Sequence, residues 1–186
     1  MRLFSCGRRL VFWVVVMVGV FSGLGASNVR AADATQQSLN DGYSLFYDFC
    51  NQESQLSLLF WFKSAPRDVA DYATRISATA KDDMAILKQF SVDQSALRLD
   101  TVSLPGFEIE VRKSMDDDRK QQLIWGSSGA GFAQAVAMTQ SEATNYGMHV
   151  AKILAETETN PQRAKTMREI YNKWVALHAE AYRLSK

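Results

Sequence analysis

The sequence predicts an all-α protein: an antiparallel four-helix bundle with one long crossover and one extra short helix. Three observations carry this expectation. Apolar residues recur at helical spacing along nearly the whole chain after residue 40. The best strand candidate, Phe107-Glu-Ile-Glu-Val111, stands alone, and one strand cannot satisfy its own backbone. The three prolines fall only where helices would begin or end.

Before the helices comes a leader. Arg2, Arg8 and Arg9 precede an apolar run from Leu10 to Phe21, and small residues then lead to Val29-Arg30-Ala31. That order is the order of a secretory signal peptide. The apolar run is shorter than the roughly 20 residues a membrane-crossing helix needs. Cleavage is expected after Ala31, with Ala34 as the alternative, so residues 1–31 are the signal peptide and residues 32–186 a single domain with its core over about 40–184. The expected location is the periplasm or the medium, with membrane contact only through the leader before cleavage. Cys6 lies ahead of the apolar run, outside the context of a lipid-anchored protein, and Val11 weakens the twin-arginine reading of Arg8-Arg9.

The first helix is expected to start near Asn40 or Asp41 and to carry Leu45, Phe49, Leu56, Leu59 and Phe60 up to about Lys63. Ser64-Ala65-Pro66 turns the chain into a second helix whose inner face reads Val69, Tyr72, Ile76, Ala80, Leu87 and Phe90. So short a turn makes an antiparallel hairpin. Ser91 to Gly106 is the long connection, expected to run along the bundle. A short helix over Val111 to Trp125 ends at Gly126-Ser-Ser-Gly129. The next helix, from Ala130 to Glu156, has Phe132, Val136, Ala143, Val150 and Leu154 on one side. Pro161 opens the last helix, with Ala164, Met167, Tyr171, Trp174 and His178 in one stripe.

Composition narrows the function. Cleavage removes Arg2, Arg8, Arg9 and Arg30 from the 21 basic residues and none of the 20 acids, leaving a net charge of −3. Nucleic acid binding then has no electrostatic footing. Cys50 is left alone, so no intramolecular disulfide forms, and a small buried hydrophobe is its expected role. Gly126-Ser-Ser-Gly-Ala130 lacks the spacing and preceding strand of a nucleophile elbow. The Cys-x-x-Cys-His haem signature is missing. Asp116-Asp117-Asp118 with Arg119-Lys120 reads as a solvated helix face. No catalytic residue is assigned.

Phe60-Trp61-Phe62 leading through Pro66 into Val69-Ala-Asp-Tyr-Ala-Thr-Arg-Ile-Ser-Ala-Thr-Ala-Lys81, Gly131-Phe132 opening a long helix, and Asn160-Pro161 with Leu177-His178 near the end share a layout. Over roughly residues 54–184 that layout resembles a family of exported bacterial ferritin-like proteins, domain of unknown function 4142. The resemblance implies a ferritin-like bundle. The family usually carries an Asp-His pair on the second helix and a further His on the helix that opens at the Gly-Phe match. Here those places hold Thr79-Ala80 and Thr144, while His178 keeps a family histidine.

Two function classes follow. The first is a binding or interaction module of the cell envelope, without cofactor, which takes a protein partner or self-associates. The second is a ferritin-like metal-binding or stress-related protein with iron, manganese or zinc held inside the bundle. Its candidate ligands are Glu53, between Phe49 and Leu56; Asp83, between Ala80 and Leu87; Glu142 and His149, two turns apart; and His178. Glu-x-x-His, the ferritin-type pattern in which i and i+3 side chains share ions, is missing. The alternative for Glu53 and Asp83 is the edge of their stripes, with carboxylates in solvent and stems over apolar neighbours. For His149 it is a partly buried place bonded to a neighbouring helix, and for His178 packing beside Trp174. Both histidines titrate near pH 6.5 in the unperturbed state, which leaves pH sensing open. Leu58-Leu-Phe-Trp-Phe62 is apolar all round, so Phe60, Trp61 and Phe62 form a candidate interaction surface. The expected cover is the crossover, through Leu97, Leu99, Val102 and Leu104; a partner, a second copy or a membrane surface is the alternative.

Overall fold

The computed structural model describes residues 35–94, 96–100, 104–126 and 128–186. The leader, both cleavage positions and Val102 lie outside the described residues. The chain divides into two compact units, Met1–Ser38 and Leu39–Lys186. The described residues of the first, 35–38, are helical. Everything that follows concerns the second.

Every regular element among the described residues is helical: α1 (residues 39–53 in this unit), a 3-10 turn (Leu56–Trp61), α2 (Arg67–Asp93), α3 (Gly106–Trp125), α4 (Ala130–Thr157) and α5 (Pro161–Leu184). The boundaries follow local chemistry. Pro66 precedes the first turn of α2, where a missing N–H costs nothing, and Asp68 Oδ1 accepts from Val69 N at 2.9 Å. Gly129 starts α4 at φ 68, a backbone that L side chains rarely adopt, and its N–H donates to Ser64 O at 2.9 Å. Asn160 caps α5 by accepting from Gln162 N and Arg163 N, with Pro161 next in the chain.

Side-chain bonds between helices set the directions. Gln134 Nε2 at the start of α4 donates to Ser185 O just past the end of α5, so those two run antiparallel. Arg75 pairs with Glu180 and Asp83 with Lys173, which makes α2 antiparallel to α5. Tyr43 OH donates to Glu158 Oε2 at 2.7 Å, and Ser77 Oγ to Glu53 O at 3.0 Å, which sets α1 antiparallel to both α4 and α2. The shared core is aromatic. Trp174 is fully buried, with Phe49 edge-on at 4.7 Å and Phe46 at 6.5 Å between ring centroids. Each such ring contributes roughly 1.5–3 kcal/mol by leaving water.

Several sequence expectations are corrected. α1 ends at residue 53 and not near Lys63; Leu56 to Trp61 form a 3-10 turn that still delivers Leu56 to the core. The strand candidate Phe107–Val111 is the first part of α3, where Glu108 and Arg112 make an i,i+4 pair at 2.8 Å. The stripe of α5 is turned: Met167, Ile170, Trp174, Leu177 and Ala181 are buried, while Tyr171 and His178 sit half-buried on its border. The connection after α2 does not run along the molecule. Arg98 N–H donates to Asn40 Oδ1, Ser44 Oγ donates to Arg98 O, and Leu97 is buried there, all at the α1 start. α3 makes the return, lying antiparallel to α4 through Arg112–Tyr146 and Arg119–Glu142 and reaching the other end where Lys63 Nζ donates to Gly126 O at 2.8 Å. At about 1.5 Å per residue its 20 residues cover roughly 30 Å. None of its residues is buried.

Candidate functional site

Because α3 buries no side chain, it stands off from α1 and α4 and leaves a half-open cavity of about 330 Å³ between the three. That volume is at the low end of the roughly 300–1,000 Å³ of small-ligand pockets. Leu45, Phe49, Met115, Ala143 and Tyr146 give it apolar walls. Five carboxyl groups (Asp48, Glu53, Glu108, Asp116 and Glu142) and two guanidinium groups (Arg112 and Arg119) also line it.

The charges do not cancel. Arg112 Nε pairs with Glu108 at 2.8 Å and donates through Nη1 to Tyr146 OH at 3.2 Å, its guanidinium lying over the Tyr146 ring. Arg119 Nη2 pairs with Glu142 at 3.1 Å. Asp48, Glu53 and Asp116 form no ion pair with any described residue. Asp48 accepts from Gln52 Nε2 at 3.1 Å, one turn along its own helix.

Glu53 is the unusual member. The residue is 8% exposed, and its Oε2 has no hydrogen-bond partner among the described residues. Burial pushes its carboxyl up to about 7; Gln140 and the Arg119 charge pull down, and Asp116 adds to the rise. Gln140 is itself buried with Oε1 unpartnered. A buried acceptor left unsatisfied costs about 1–3 kcal/mol. Tyr72 on α2 and Cys50 on α1 feel the Glu53 charge, and both are raised chiefly by burial. A Cys50 thiol shifted that way is a packed hydrophobe and not a nucleophile.

The five metal-ligand candidates separate. Glu53 and Glu142 line the cavity, but the Glu142 side chain is 71% exposed and held by Arg119. Asp83 is fully buried between α2 and α5, engaged by Lys173 Nζ and by Trp174 Nε1 at 2.8 Å. Burial raises the Asp83 carboxyl, with Lys173 and Trp174 opposing. His149 is exposed, which corrects the partly buried place expected for it. His178 Nδ1 lies 3.2 Å from Thr144 Oγ1, half-buried beside the core. Neither Glu53 nor Asp83 reaches solvent from a stripe edge, the second correction. Among the described residues no group of three His, Cys, Asp or Glu side chains can hold a metal ion, so these residues do not fit an iron, manganese or zinc site.

The interaction-surface candidates also divide. Phe60 packs on Phe132 with centroids 5.4 Å apart, whereas Trp61 and Phe62 are 78% and 83% exposed. The crossover does not cover them. The Lys63–Gly126 bond brings exposed Trp125 to the same end of the molecule. No described helix is long and apolar enough to cross a membrane.

Sequence reasoning missed Asp48, Arg112, Asp116, Arg119, Gln140 and Tyr146. Gln140 carried a signal, a polar residue in register with Val136, Ala137, Thr144 and Gly147 on the α4 stripe. No family model, curated protein or solved structure matches the chain.

Proposed function

We propose that the chain is an exported, periplasmic binding module with a ferritin-like four-helix layout, which holds a small polar ligand in the cavity between α1, α3 and α4. One observation carries this reading: a glutamate more than nine-tenths buried lines that cavity with a carboxylate oxygen unpartnered among the described residues. Stranding such a group costs folding energy that a bound ligand returns by supplying the missing hydrogen bond. The ferritin-like part is supported by the antiparallel pairing of α1 with α2 and α4, and of α5 with both. It is supported too by the meeting of Thr144 and His178, two positions that correspond to family histidines. Export is supported by the arginine-led apolar leader alone.

The test is recovery. Protein isolated under native conditions and then denatured should release a small molecule detectable by mass spectrometry, and Ala143→Trp, which fills the cavity wall, should abolish its retention. Protein that carries nothing, and that no member of a panel of small polar compounds stabilises, would contradict the reading.

A further inference from the structure

We propose that the ligand of this cavity is an aliphatic diamine, with one ammonium group between Glu53 and Asp116 and the other on Asp48. The inference rests on the binding reading above and narrows it to a chemical class.

Three features select that class. The first is charge. After Arg112 takes Glu108 and Arg119 takes Glu142, the lining retains three carboxyl groups that form no ion pair with a described residue: exposed Asp48 and buried Glu53 on α1, and half-buried Asp116 on α3. An anionic ligand would be repelled by them, and a neutral one would leave buried Glu53 without an opposite charge. The second is the unpartnered Glu53 oxygen. It lacks a donor, and an ammonium supplies up to three in a charge-assisted bond, the strong kind. The third is the arrangement. Asp48 and Glu53 stand on opposite borders of the Leu45, Phe49 and Gln52 stripe and rise about 7.5 Å apart along α1. Between them on α1 stand Phe49 and Gln52, and Leu45 and Met115 add apolar surface to the same lining, a floor that suits methylene groups. Two acid ends joined by an apolar floor match two ammonium groups joined by a short chain. A bare divalent ion does not match, because no three candidate ligands gather.

α3 gains most from occupancy. It is tied to α4 by exposed and half-exposed pairs, and a diamine bridging Glu53 to Asp116 would link it to α1.

Calorimetric titration of the full chain at low ionic strength, with cadaverine, the diol of equal length and glutarate as probes, decides the matter. The expected result is saturable cadaverine binding with neither control bound. Glu53→Gln should weaken it about tenfold or more, and Asp116→Asn about threefold. Asp116 is half-buried on α3, so its variant keeps the test decisive if Glu53→Gln fails to fold. Diol or glutarate bound as tightly as cadaverine, or cadaverine indifferent to both substitutions, would overturn the diamine assignment and leave a binding cavity standing. If none of the three binds and the native protein also releases no small molecule, the assignment and the cavity reading fall together.

Discussion

Trp174 donates its indole N–H to Asp83 Oδ2 at 2.8 Å, joining α5 to α2 where the carboxylate is wholly buried. Lys173 engages the other oxygen from a position 43% exposed, so its ammonium can return to water if the acid is removed. The indole cannot. Asp83→Ala should therefore cost about 3 kcal/mol in urea unfolding, through the orphaned Trp174 N–H and the space left behind. Asp83→Asn, which keeps an acceptor, should cost about 1 kcal/mol. Equal losses would mean the Lys173 charge, and not the Trp174 bond, holds the two helices.

Glu53 makes stability fall as pH rises. Its carboxyl is raised to about 7 in the folded chain, from an ordinary value near 4.5. Between those values the native state holds a proton that the unfolded state has released, so stability is full below about pH 4.5 and falls as pH rises to 7, by up to about 3 kcal/mol. Glu158 works the other way at lower pH. Burial pushes it up, but Arg163, the Asn160 N–H and Tyr43 together hold it lowered, so its contribution is lost as pH falls below the ordinary carboxylate range. Denaturation midpoints at pH 5 and pH 8 should differ in the native sequence and draw closer in Glu53→Gln, where the rise at Asp83, which acts in the same direction, remains. An unchanged slope in that variant would place the carboxyl in water.

Gly147 lets α4 approach α1. A Cβ there would lie 2.3 Å from two atoms of the Phe49 ring, which is itself wedged against Trp174 and Tyr146. Gly147→Ala should destabilise by about 1–3 kcal/mol and disturb the cavity that Phe49 lines. Thermal unfolding with cadaverine present reads both effects. A variant as stable as the native chain would show that the ring has room to move.

Trp61 and Phe62 contribute little to the fold. Because both lie more than three-quarters exposed, Trp61→Ser and Phe62→Ser should change stability by less than about 0.5 kcal/mol while lowering self-association or partner capture. Light scattering and circular dichroism on the same samples separate the two. Helicity lost in step with association would make these residues core.

The limits of α2, α4 and α5 were legible because Pro66, Gly129-Ala130 and Asn160-Pro161 punctuate them with residues whose backbone needs are specific. The end of α1 was not, since Leu56, Leu59 and Phe60 continue the helical spacing of Phe49 through Ser54-Gln55 with no breaker in between. The exposure of His149 could be read from spacing: Gln140, Thr144, Gly147 and Ala151 define the buried face, and 149 falls on its reverse. Glu53 and Asp83 were marked as residues of interest by their place within apolar stripes. Their burial was not legible, because the groups that cover Asp83 come from α5, some 90 residues away, and α3, which forms the cavity beside Glu53, carries no apolar stripe of its own.

The Glu53 carboxyl carbon can be followed by carbon-13 NMR as pH is raised, first alone and then with saturating cadaverine. The account expects a midpoint at about 7 for the free protein, displaced downward once an ammonium group sits on the carboxylate. A midpoint in the ordinary carboxylate range without ligand, unmoved by the diamine, would contradict it.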